Sequence, residues 1–127
     1  MSHRPSERTV PPGLGTGLAV ICTTLPDQIL AVTLARESVE RGLVACAQAE
    51  SAATVSVYRW QGQVCEDREW RLTFKTTLER EPELRAWMAT RHPYDLPQWV
   101  VLPGLAGEAY GEWVAAATRT APSGDAR

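Results

Sequence analysis

Cys22 closes a short apolar run and is followed at once by Thr23 and Thr24, while His92 stands immediately before Pro93 and Tyr94. A thiolate is a soft ligand that favours Cu(I) over harder ions. A histidine pushed out of a helix by a following proline presents its ring from a loop, where it can bind a metal. Each residue also has a plainer reading. A buried cysteine behaves as a small hydrophobe, and a histidine at a helix end can satisfy free carbonyls. The two lie 70 positions apart, so they form no closed metal site by themselves. A third ligand would come from another subunit, from Glu69 or Cys65, or from solvent. Cys46 reads as core, and Cys65 as an exposed thiol near a hairpin tip.

A second constellation is Glu69, Lys75, Tyr94 and Trp60. Glu69 and Lys75 are six apart on a predicted strand and share a face, opposite Trp70, Leu72 and Phe74. Covered by a neighbouring subunit, both charges would be partly buried and would need partners. The functional reading is a cleft for a small anionic or zwitterionic ligand, with Tyr94 and Trp60 beside it. The alternative is an interfacial salt bridge, with Trp60 and Tyr58 as anchors between subunits.

These residues are positioned by a predicted β-hairpin over residues 54–77, with Gln61-Gly62 as its turn. That register sets Trp60 opposite Gln63 and Tyr58 opposite Cys65. If the first arm begins near Val44 it has about 17 residues and reaches roughly 55 Å. A domain of this size is only about 36 Å across. The arms must project, or bend at a bulge near residues 48–51. A projecting ribbon leaves open edges, and a partner copy is the simplest way to cover them. The expectation is a homo-oligomer.

Before the hairpin, residues 18–23 read as a buried strand. Pro26 and Asp27 open a helix with Ile29, Leu30, Leu34 and Val39 on its apolar side, and Gly42 closes it. Residues 43–47 start the next strand. After the hairpin come a helix over residues 79–91, a loop over 94–97, a strand over 99–102 and a helix over 107–118. Strand, helix, strand, strand, helix, strand is the split β-α-β order of an α+β, ferredoxin-like sandwich. Residues 1–16 read as a disordered leader, 17–118 as the domain and 119–127 as a disordered tail.

The chain has 127 residues, enough for one domain with a real core. Thirteen Lys and Arg against fifteen Asp and Glu leave a net charge of −2, which argues against nucleic acid as a partner. No apolar run is long enough for a membrane helix. Three cysteines without paired spacing point to a reduced, cytoplasmic protein. No nucleophile elbow, phosphate loop, paired-histidine zinc motif or EF-hand loop is present, and no catalytic role is expected.

With these pieces placed, the sequence resembles the CutA divalent-cation-tolerance family. The match is carried by Cys22-Thr23-Thr24 with Pro26-Asp27, by Leu43-Val44-Ala45-Cys46, and by Ser56, Tyr58, Trp60 and Gly62. It continues through Glu69, Lys75-Thr76-Thr77, His92-Pro93-Tyr94 with Pro97, and Trp113. The resemblance implies a ferredoxin-like subunit that forms a tight trimer through its long hairpins. It also implies a role in tolerance of copper or another divalent metal, which would be a ligand and not an obligatory cofactor. Carried over residue by residue, Cys22 and His92 are the metal ligands implied. The chain departs from the pattern at Arg91, where members proposed to bind copper have a second histidine before Pro-Tyr.

Overall fold

The computed structural model describes residues 10–119. Its elements run β1 (Leu14–Leu25), α1 (Gln28–Glu40), β2 (Cys46–Ala49), β3 (Thr54–Trp60), β4 (Gln63–Thr77), α2 (Glu81–Arg91), β5 (Val100–Gly107) and α3 (Glu108–Ala117). The strands form one antiparallel sheet in the order β2-β4-β1-β5, with β3 pairing to the outer part of β4.

Local chemistry sets the ends of α1. The Asp27 carboxylate accepts the Leu30 N–H at 2.7 Å, satisfying a free first-turn donor. Gly42, at φ +71°, takes the left-handed conformation that ends the helix. Its N–H reaches Val39 O and the next N–H, of Leu43, reaches Ser38 O, so two otherwise unpaired carbonyls are satisfied. The buried face of α1 differs from the expected one. It is Ala31, Leu34, Ala35 and Ser38, while Ile29 is 81% exposed and Val39 lies on the surface. Of the expected apolar side, Leu34 is buried and Leu30 packs against the core, whereas Ile29 and Val39 give way to the small residues Ala31, Ala35 and Ser38.

The hairpin is formed in the predicted register, Trp60 opposite Gln63 and Tyr58 opposite Cys65. Gln61 and Gly62 both have positive φ, 50° and 80°, as a tight two-residue turn matched to strand twist requires. Farther in, Ala49 pairs with Leu72 and Thr54 with Glu69. Residues 50–53 of the first arm therefore face only Trp70 and Arg71 on the second. That excess is the expected bend, and it divides the arm into β2 and β3.

Two strands are longer than expected. β1 begins at Leu14, not at residue 18, because a register shift between Gly15 and Leu18 lets it continue along the end of β5. Gly17, at φ +95°, makes the bulge possible. Residues 14–16 thus belong to the sheet and not to a leader, and residues 1–9 and 120–127 lie outside the described residues. β5 continues past residue 102 to Gly107 through Pro103, which is tolerated because β5 is an edge strand.

The core lies between one face of the sheet and the helices. Ala19, Ile21 and Leu25 of β1 and Leu72 and Phe74 of β4 pack with Ala31, Leu34 and Ala35 of α1 and Leu84 and Met88 of α2. Strand alternation sends Val20, Cys22, Thr73, Lys75, Val100 and Leu102 to the opposite face. There Val100 and Leu102 remain exposed.

Candidate functional site

The end of β1 organises the site. Because side chains alternate along a strand, Thr23 points toward the helices and Thr24 toward the open face. Thr23 is fully buried and its hydroxyl donates to Gln98 O at 2.7 Å. The same oxygen lies 3.1 Å from His92 Nε2, which is also 2.9 Å from Thr24 O. A backbone carbonyl can only accept, so Nε2 carries the proton. On the other side of the ring, the Tyr94 N–H donates to Nδ1 at 3.3 Å. An amide N–H can only donate, so Nδ1 holds a lone pair. The imidazole is therefore neutral and fixed in one tautomer. Burial lowers its pKa below the usual histidine value, against the smaller raising effects of the Thr24 carbonyl and the Glu69 charge.

Tyr94 continues the arrangement onto the open face. Its ring lies 5.0 Å from that of His92. Burial first, and then the nearby Glu69 carboxylate, raise the phenol well above the tyrosine range. Glu69 accepts from the Thr24 hydroxyl at 3.1 Å, so a half-buried carboxylate has a hydroxyl donor within its own subunit. Two residues toward the tip, the Tyr58 hydroxyl donates to Asp67, and this bond is the main cause that pushes the exposed phenol up to about 12.

Of the four residues expected in the cleft, one subunit brings together only Glu69 and Tyr94. Lys75 shares the Glu69 face but is six residues along β4, about 20 Å away, and its Nζ bonds to Gln48. Trp60 is level with Gln63, about 20 Å from Glu69 in the other direction. Thr23 and Thr24 stood in the sequence only as neighbours of Cys22 and as part of the family resemblance, with no role of their own, and Asp67 was not singled out. Strand parity alone could have placed Thr24 on the Glu69 face. Cys46, expected in the core, is half-buried on the open face, opposite Lys75.

A metal bridging Cys22 and His92 does not fit one subunit. Cys22 pairs with Thr73 and Val100 and points to the open face, whereas His92 is bound to Thr23 on the helix side. Both imidazole nitrogens are already engaged. Among the described residues no group of three or more His, Cys, Asp or Glu side chains could hold a metal ion. Arg91 also has a structural position: it pairs with Glu37 of α1 and lies 5.5 Å over the Trp87 ring.

Residues 19–117 match the family model described as CutA1 divalent ion tolerance protein. The chain is 40% identical over 96 residues to the divalent-cation tolerance protein CutA of Thermus thermophilus, covering 75% of this chain and 92% of that one. Its fold is similar to that of CutA from Synechococcus elongatus PCC7942. The TM-score is 0.77 at 34% identity, over 84% of this chain and 96% of the other. A second structure of that protein, complexed with a Bis-Tris molecule, matches at TM-score 0.74 and 33% identity over 82% and 98%.

Proposed function

The chain belongs to the CutA1 divalent ion tolerance family, and on that premise we propose that it serves in divalent-cation tolerance as a non-enzymatic, cytoplasmic homotrimer. The observation that carries this reading is the family match across residues 19–117, nearly the whole described chain. In this reading the subunit is ferredoxin-like, which the sheet order and the alternation of helices and strands support. Exposed apolar residues support assembly: Val100 and Leu102 lie on the open face of the sheet, and Val55, Val57 and Val64 lie on the opposite face of the ribbon, where the subunit gives them no cover. No helix among the described residues is long and apolar enough to cross a membrane, and the charge balance supports no role with nucleic acid.

Copper binding in this reading is weak and goes to the Cys22 thiol on the open face. No second donor of the same subunit joins it in a metal-binding cluster among the described residues. The test is growth of a host lacking its own family member in raised copper, cobalt or zinc, with sedimentation of the purified protein. Restored growth and a trimer support the reading; a stable monomer with no effect on growth overturns it.

One observation favours a second reading, a regulatory scaffold with a small-ligand site. The Thr24–Glu69–Tyr94 group lies on the open face, where a neighbouring subunit would close a cleft over it. A solved relative complexed with a Bis-Tris molecule supports this reading. Lys75 is about 20 Å away within the chain, and the cation beside this group is Arg71, which pairs with Thr24 in the sheet and lies 3.9 Å from Glu50. A metabolite that raises the melting temperature while metals do not would favour this reading over the first.

A further inference from the structure

We propose that His92 is a positioning residue and not a metal ligand: it clasps the loop over residues 92–99 to the end of β1 and thereby holds Tyr94 beside Glu69. The assignment runs against what the family resemblance implies for a histidine before Pro-Tyr, and it does not depend on the tolerance reading.

The first argument is electronic. A metal ligand needs an in-plane lone pair on nitrogen. Nε2 has none, because it carries the proton given to Thr24 O. The Nδ1 lone pair meets the Tyr94 N–H, inside the histidine's own loop. To bind a cation, the ring would have to break one of these bonds, and the Thr24 residue whose carbonyl would be released is only 6% exposed.

The second argument is geometric. Thr23 Oγ1 gives its proton to Gln98 O and so meets His92 Nε2–H as an acceptor. One buried threonine thus ties down both ends of the loop, His92 at its start and Gln98 near its end. Tyr94 lies between these anchors, with its amide on the imidazole and its ring 5.0 Å from that of His92. The preceding residue fits the same plan. Arg91 reaches Glu37 and stacks on Trp87, whose ring also carries Arg41 at 5.5 Å, so α2 is fastened to α1 just where His92 leaves the helix. Arg91 is a strut between helices, and it stands where the family resemblance implies another imidazole.

The test uses the reduced full-length protein, His92→Gln, His92→Ala and the double variant His92→Ala/Tyr94→Phe, titrated with Cu(I) and separately with Cu(II). Glutamine keeps an N–H donor near the Nε2 position and has no imidazole. In nitrogen-resolved NMR the unaltered protein should show the Nε2-protonated tautomer at neutral pH, unmoved by stoichiometric copper. Copper stoichiometry in His92→Gln should equal that of the unaltered protein, and no copper uptake by either is equally in accord. Ultraviolet titration should show Tyr94 ionising late in the unaltered protein and in His92→Gln. It should ionise nearer the ordinary phenol range in His92→Ala, and that early phase should vanish in the double variant. Imidazole resonances that move with copper, a stoichiometry that falls in His92→Gln, or a Tyr94 phase unchanged in His92→Ala would each overturn the assignment. If His92→Ala does not fold, the tautomer spectrum and the glutamine variant still decide.

Discussion

The two ends of β4 share one strand and one alternation, yet their surroundings are opposite. From Leu72 inward every second side chain, Leu72, Phe74 and Thr76, is buried against the helices. From Glu69 outward no side chain of the strand is buried, and its β3 partner exposes Val55 and Val57. The inner end is held by its own subunit. The outer end has correct turn chemistry and register but no core, and an isolated two-stranded ribbon is marginal in water. Apolar residues on such a ribbon imply a cover that the subunit does not supply. Glu69, Tyr94 and Thr24 lie at the junction, where the fold's own packing stops and an assembly surface would begin.

The largest effect should come from the inner end. Phe74→Ala removes a fully buried ring that packs near Trp99, and should destabilise the fold by about 3–5 kcal/mol in urea unfolding. At the outer end, Val57 is 62% exposed in the subunit. Val57→Asp should leave the circular dichroism of the fold intact while shifting sedimentation from trimer toward monomer. If the variant sediments like the unaltered protein, the ribbon does not carry the assembly, and the contrast between the two ends loses its meaning.

A middle-sized effect is expected at the junction. Thr23→Val keeps the shape but removes the hydroxyl that serves both Gln98 O and His92 Nε2. Leaving those part-buried groups short of a partner should cost about 1 kcal/mol. The same change should speed hydrogen exchange in the loop over residues 92–99 more than in β4. Uniform acceleration in both segments would mean that Thr23 supports the core at large and not the loop.

The contrast between the ends of β4 also explains what could be read from the sequence. The alternation of Trp70, Leu72 and Phe74, the Gln61-Gly62 turn and the proline after His92 are local signals, and each was realised where expected. The bend before Thr54 followed from length alone. Parity placed Glu69 and Lys75 on one face correctly, but parity says nothing about separation, and six residues of strand put about 20 Å between them. The face of α1 was read correctly at Leu30 and Leu34 and misread at Ile29 and Val39, because packing there favours Ala31 and Ala35 over bulkier side chains. The β1 start depended on a glycine bulge that pairs with a strand almost ninety residues away. The plainer reading of His92, a ring that satisfies carbonyls, was open from the sequence, but its partners, oxygens of Thr23 and Thr24, are brought to the ring only by the fold.

The smallest expected effect is a pH dependence that belongs to the junction alone. The folded-state pKa of His92 is lowered, chiefly by burial, although the Thr24 carbonyl and the Glu69 charge act the other way. Below about 6.5 the unfolded chain takes up a proton at this position more readily than the folded one. Stability from His92 is therefore full above that pH and is lost as pH falls through 6.5 toward the folded value. Carboxylates elsewhere also titrate as the solution becomes acid, so the informative quantity is a difference. The gap in unfolding midpoint between the unaltered protein and His92→Gln should be constant from pH 8 to about 7 and should narrow below about 6.5, because glutamine has no proton to gain. Tyr94 should report the same event locally, since protonation at Nδ1 places two N–H groups face to face and must release its amide. A gap that stays constant down to pH 5 would mean that the imidazole is no more buried in the assembled protein than in the unfolded chain. The junction would then belong with the open ribbon and not with the core.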